Sequence, residues 1–296
     1  MFISSLQHQS LDDWKTSVLR NVKGAAETHG RVFAVAYNIA GNNLPTNVLE
    51  KLKEDWMKLV DLEQITKSSS YLHHDGKPVL RIYGIGFKAV PASADINGIT
   101  SLIRWLTVEA EEKYQVFLIG GVPGYWRDRI KDSRGDIRWK GIYESLDGIH
   151  PWHVGRWSHI NGFKHYYNNV ISTDATHCKN LGIHYMPTMW PGFSWHNVKK
   201  TRGVDSPVNS IPRIGGRLMW AQAYQYVADT AIKTIWMAQF DEVDEVRFQL
   251  CCFRKFSAII FAHMPRSSFS LTGYRHIQSS GKPKSSTRGR LVNPGC

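Results

Sequence analysis

A chain of 296 residues with 42% apolar and 12% aromatic side chains can build one large α/β domain or two smaller ones. No run of about 18 uncharged apolar residues occurs, so no membrane-spanning helix is expected. The net charge of +12 is of the sign that nucleic acid attracts, but its distribution argues against that partner: beyond Glu245 there are nine Lys/Arg and no Asp or Glu, which leaves 28 basic against 25 acidic side chains in residues 1–245.

Short apolar, β-rich runs alternate with longer amphipathic stretches from the first residues onward, the pattern of repeated βα units. MFISSL stands just before the first helix as the remnant of a strand, and LDDWKTSVLRNVKGAAETHG carries apolar residues at helical spacing up to a Gly stop. Strands are expected over 31–41, 78–87, 115–126, 146–152, 182–195 and 233–240, and helices over about 11–28, 46–60, 97–113, 162–180 and 217–231. His73-His74-Asp75-Gly76 reads as a turn before a strand rather than a metal site, because adjacent side chains there point in different directions.

The ends of these strands collect polar and aromatic groups: Tyr37-Asn38, Tyr83, Trp126-Arg127, His150, Trp152-His153, Trp190, and Trp195-His196-Asn197. Function gathered at C-terminal strand ends belongs to parallel α/β barrels. A doubly wound sheet needs an early Gly-rich phosphate turn, and GIGF is a poor match to one. The expected fold is therefore a (β/α)8 TIM barrel over residues 1–245. Six strands and one remnant fall one short of eight, and an unpaired edge is costly. The chain is thus expected to begin inside its second βα unit. The opening residues lack a secretory leader, which fits the cytoplasm only if Met1 is the natural start.

Residues 246–296 form a basic tail with no clean period, and their Ser/Gly/Pro-rich end reads as disorder outside the fold. Cysteine usage offers no disulfide framework: Cys178 is alone in the body, and Cys251, Cys252 and Cys296 fall in the tail. A Ser nucleophile elbow is unsupported, since GFSWH lacks its second Gly.

The densest group of carboxylates, Phe240-Asp241-Glu242-Val243-Asp244-Glu245, follows the last expected strand. If the chain turns helical there, Glu242 and Glu245 share one face. Two carboxylates aimed at one cleft suit glycoside hydrolysis, one held protonated and one charged. Separations of roughly 5–5.5 Å go with retention, and roughly 6.5–9.5 Å with inversion. A solvated acidic turn and a cation site are the competing readings, although the spacing lacks the Gly of a calcium loop. Sugar faces stack on Trp and Tyr while hydroxyls seek Asn, His and Arg. Trp126, Trp152, Trp190, Trp195, His150, His196 and Asn197 all follow expected strands.

Read together, GVPGYWR, DGIHPWHVGR, YMPTMWPGFSWHN, IPRIGGRLMWAQAY and FDEVDE resemble glycoside hydrolase family 99 and related bacterial and fungal proteins, some named xylosidase/arabinosidase. The resemblance runs from about residue 2 to Glu245 and implies a (β/α)8 barrel acting on a glycan, with no metal or organic cofactor. The family's two glutamates lie in Phe-Asn-Glu-(aromatic)-His-Glu-Gly-Thr, and FDEVDEV matches it at Phe240, Glu242 and Glu245. By that resemblance Glu242 is the base toward the sugar 2-hydroxyl and Glu245 the acid and base at the leaving oxygen. The pattern departs at Asp241, Val243 and Asp244, at Val246-Arg247 in place of Gly-Thr, and at Phe193, where Pro191-Gly192 precede a Tyr in the family. These departures leave mannan specificity and the activity of this chain open. Two other readings stand beside hydrolysis: a carbohydrate-binding fragment without turnover, and nucleic-acid binding through the tail. A glycan partner is expected, without nucleic acid or membrane; the oligomeric state is left open.

Overall fold

The structure, a computed structural model, describes residues 2–5, 12–41 and 44–239. Asp241, Glu242 and Glu245 lie outside the described residues, as does the tail.

The described chain is a mixed α/β fold built on parallel strands. Strands β1 (Phe2–Ser5), β2 (Ala34–Asn38), β3 (His73–His74), β4 (Lys77–Tyr83), β5 (Phe117–Val122), β6 (Gly148–Pro151), β7 (His184–Tyr185), β8 (Thr188–Met189) and β9 (Trp236–Met237) alternate with helices α1 (Asp12–His29), α2 (Val48–Asp61), α3 (Ile96–Arg104), α4 (Arg138–Glu144), α5 (Ile160–Tyr166), α6 (Ser172–Leu181), α7 (His196–Thr201) and α8 (Arg217–Ala228). The parallel ladder runs β1-β2-β4-β5-β6-β7, and β8 pairs β9 in parallel. MFISSL is thus a paired strand, with Phe2 opposite Ala34 and Ser5 opposite Tyr37.

Pro187 explains why β7 and β8 are separate. Proline has no N–H to donate, so the ladder breaks at it. The pairing itself continues across the break. Met186 N donates to Ile149 O at 2.9 Å on one side, and on the other Trp236 N donates to Pro187 O at 3.0 Å. Residues 184–189 therefore link β6 to β9.

β3 and β4 are the one pair of named strands that runs antiparallel among the described residues, with His74 opposite Lys77. The two turn residues, Asp75 and Gly76, have φ of 49° and 78°. Positive φ at both central positions matches the twist of a two-residue hairpin, and Asp-Gly supplies it. The hairpin sets His74 against Phe117 and His184, at ring centroids of 4.3 and 5.2 Å. His74 is thus a packing group at the N-terminal end of the sheet.

One sheet face packs on helices. Tyr37 is fully buried, and its hydroxyl donates to Asp55 of α2 at 2.7 Å. Trp56 of α2 is also fully buried, and its indole N–H reaches Tyr114 O at 2.9 Å. Burying a ring of that size removes enough surface from water for roughly 4–6 kcal/mol of gross transfer free energy. The stretch from α5 to α6 is one helical run with a π-helical turn over Tyr167–Ile171, and it ends at Gly182, whose φ of 72° caps it. The short helices α4 and α7 were not expected from the sequence. The other helices fall where the periodicity placed them. Among the described residues, no helix is long and apolar enough to cross a membrane.

The opposite face is concave. Arg81 of β4 lies with its guanidinium carbon 4.3 Å from the Trp236 ring centroid on β9. Four strand spacings separate those positions, roughly 19 Å in a flat sheet. Only a strongly curled sheet brings them together.

Candidate active site

Strand register sets the rows that line this concave face. Asn38 pairs Tyr83, Tyr83 pairs Gly121, and Gly121 pairs His150. These four residues form one row near the C-terminal strand ends. The row beneath contains Ala36, Arg81, Ile119, Gly148 and His184. Side chains two apart on a strand share a face, so Arg81 and Tyr83 point the same way. Gly121 leaves the space they need: a Cβ there would lie 2.8 Å from Tyr83 Cδ2 and 3.0 Å from Arg81 Nη2. The Arg81 guanidinium therefore reaches up from its own row to that of Tyr83, toward the strand ends.

A proton-ordered chain holds it there. Arg81 Nε donates to His150 Nδ1 at 2.9 Å. A guanidinium has no acceptor, so Nδ1 must be the unprotonated nitrogen and Nε2 carries the hydrogen. Nε2 then donates to Thr188 Oγ1 at 3.0 Å, and that hydroxyl donates to Pro151 O at 2.5 Å. His150 and Thr188 are fully buried. Burial, reinforced by the charges of Arg81 and His153, pushes the His150 pKa well below the usual histidine range. Arg81, 6% exposed, has its pKa pushed down to about 9 by burial.

Aromatic rings surround this core. The Arg81 guanidinium lies over the Tyr83 ring at 5.1 Å as well as over Trp236, within cation–π range of both. Tyr83 meets Trp152 edge-on at 5.4 Å and Phe87 at 5.2 Å, and His150 lies 4.8 Å from Trp236. Tyr83, Trp152 and Trp236 are half-buried, so each keeps part of its surface open. Asn38 shapes the rim: its Oδ1 accepts from Ala40 N at 2.8 Å, an Asx turn at the end of β2.

Of the residues expected from the sequence to line a cleft, the structure gathers Asn38, Tyr83, His150 and Trp152 here. Tyr37 faces the other side, on α2. Trp126 is buried against Tyr143 of α4 and His177 of α6, and Arg127 Nε binds Asp174 of α6 at 2.7 Å. Burial pushes Asp174 up to about 7, while Arg127 pulls it down. Trp190 is fully buried against Trp157, its backbone held by Gln222 through bonds of 3.2 and 2.8 Å. Phe193, Trp195, His196 and Asn197 sit in the excursion between β8 and α8, which a Phe193–Ile211 bridge closes. Phe193 and Trp195 pack at 5.7 Å there, and His196 Nδ1 meets Ser206 O at 2.7 Å.

Arg81, Thr188 and Trp236 were not expected. Each lay inside an expected strand, and strand phase was the signal: Arg81 is two residues from Tyr83, and Trp236 four from Phe240. Among the described residues, no three His, Cys, Asp or Glu side chains gather as a metal would require.

A curled parallel sheet with helices on its outer face and aromatic and polar groups at the C-terminal strand ends is consistent with TIM-barrel architecture. No protein-family model and no curated protein matches the chain by sequence. Solved structures do match by fold. The GH99 endo-alpha-mannosidase from Bacteroides thetaiotaomicron, in complex with BIS-TRIS-propane, superposes with a TM-score of 0.56 at 14% identity over 83% of this chain and 66% of that one. A second structure of that endo-alpha-mannosidase gives 0.53 at 13% identity, over 83% of this chain and 62% of the other. The chain has a GH99-like fold and spans slightly under two thirds of the length of these structures.

Proposed function

We propose that the chain is a GH99-like glycoside hydrolase, a (β/α)8-type protein that cleaves an O-glycosidic bond in a glycan with retention of configuration. One observation carries this: β9 delivers Trp236 to the concave face beside Arg81 and His150, and the acidic run follows within a few residues.

In this reading Glu242 takes the proton from the sugar 2-hydroxyl. The oxygen attacks C1 and displaces the leaving oxygen, which Glu245 protonates. The resulting 1,2-anhydro sugar is opened by water, whose proton goes to Glu245, while the 2-oxygen recovers its proton from Glu242. Two inversions give net retention, and both carboxylates return to their starting states. The 2-oxygen must approach C1 opposite the leaving group, so the substrate is a 1,2-trans glycoside. Tyr83, Trp152 and Trp236 supply faces for the sugar rings, and Asn38 stands at the rim.

Kinetics of E242Q and E245Q on 1,2-trans aryl glycosides test this. Each substitution is expected to lower kcat/KM by 10²-fold or more, the scale of general acid–base catalysis. A substrate lacking the 2-hydroxyl should not turn over. Hydrolysis of that substrate, or E245Q with unaltered turnover of a natural glycan, would overturn the assignment.

A further inference from the structure

Arg81 differs from the arginines that form ion pairs. Arg20, Arg104, Arg127, Arg138 and Arg156 each pair with a carboxylate. Arg81 has none among the described residues; its hydrogen bond goes to His150, a neutral ring. A buried cation is stable only when paired or hydrogen-bonded. The protein surrounds this one with two aromatic faces and a histidine whose only free nitrogen is aimed at Nε. Nε is thereby used, and the terminal nitrogens remain, with Nη2 beside Gly121 in the row of Tyr83. Gly121 leaves the room that Nη2 and the Tyr83 ring occupy.

We propose that the terminal nitrogens of Arg81 bind the carboxylate of an acidic sugar, so that the glycan contains a uronic acid. This rests on the glycan-cleft reading above and specifies its substrate class. A guanidinium fork matches a carboxylate with two parallel bonds, whereas a neutral hydroxyl can satisfy only one. His150 is the positioning residue. Its Nδ1 fixes the rotation of the guanidinium plane, and the Thr188–Pro151 chain fixes His150. Tyr83 and Trp236 pack on the guanidinium at 5.1 and 4.3 Å, and Nη2 lies in the row of Tyr83, toward the strand ends.

The test is calorimetric titration of the full chain with D-glucuronate, its methyl ester and D-glucose, which differ at C6. Glucuronate is expected to bind about tenfold or more tightly than the two neutral sugars, the scale of a charge-assisted pair. R81Q should abolish that preference. The comparison on the unaltered protein needs no variant and stands if R81Q does not fold. Equal affinity for all three sugars would overturn the proposal while leaving a sugar-binding cleft; it is also the result expected if a carboxylate of the chain itself occupies Arg81. Binding of none of the three would overturn the uronate site and the glycan reading together.

Discussion

Arg81 Nε and His150 Nδ1 lie 2.9 Å apart, and this one bond determines where the hydrogen of His150 sits. Arginine only donates, so the imidazole accepts at Nδ1 and is neutral. His150 is thereby excluded as a proton donor at Nδ1 and assigned to support. Nitrogen chemical shifts of the labelled protein should show the Nε2–H tautomer with no titration between pH 5 and 8. A titrating His150 would break the Arg81–His150–Thr188 chain as described.

Histidine burial also sets the direction of acid stability. The pKa values of His150, His153 and His184 are all lowered, with those of His153 and His184 brought to about 3 and 4, in each case by burial first. The unfolded chain protonates these rings below its ordinary histidine pKa of 6.5, while the folded protein does not. Their contribution is therefore present above that pH and is lost as pH falls below it. Asp174, raised to about 7, works the other way, because the folded state holds its proton where the unfolded state does not. Three histidines outweigh it. Urea midpoints are expected to fall from pH 7.5 to pH 5, at about 1.4 kcal/mol per pH unit for each uncompensated proton. A higher midpoint at pH 5 would contradict this.

Tyr37 and Trp152 separate the helix layer from the cleft. Y37F removes the bond to Asp55 and should cost about 1–2 kcal/mol of stability without altering sugar affinity. W152A removes a half-buried face from the cleft and should weaken sugar binding about tenfold. Thermal melts and titrations of both variants check the assignment; reversed effects would exchange the two roles.

Gly121 tests the packing of the site. An alanine there would press on Tyr83 and Arg81, at 2.8 and 3.0 Å. G121A should cost about 1–3 kcal/mol, the scale of overpacking, and reduce binding of D-glucuronate in the same variant. Unchanged stability and binding would mean that the row has more room than its register implies.

Gly76 tests the hairpin that closes the N-terminal end of the sheet. Its φ of 78° is strained for any side chain, so G76A should lower stability by about 1 kcal/mol, measured by urea unfolding. No loss would argue against the two-residue turn at Asp75-Gly76.

Strand order and most helices were legible in the sequence because period and turn chemistry agree locally. The apolar runs around Val35, Leu80, Leu118 and Ile149 are buried on both faces, as parallel strands require. Site membership was less legible. Tyr37 and Asn38 are neighbours at one strand end, yet adjacent side chains face opposite sides, and only Asn38 joins the row of Tyr83. Trp126 and Arg127 also follow a strand. The Pro123-Gly124 turn carries them out to α4 and α6, and nothing in their spacing reveals that path. Arg81 stood in the open in VLRIY. A lone arginine in an apolar strand reads as a solvent-facing position until the sheet curls and encloses it. The short helices α4 and α7, of 7 and 6 residues, are too brief to show a period.

The most direct measurement is proton NMR of the first sugar released from a 1,2-trans aryl glycoside by the intact chain. A Glu242–Glu245 pair working through the 2-oxygen predicts that the first-formed anomer keeps the configuration of the substrate, and that E245Q releases none above background. A first-formed anomer of inverted configuration, or retention undiminished in E245Q, would contradict it.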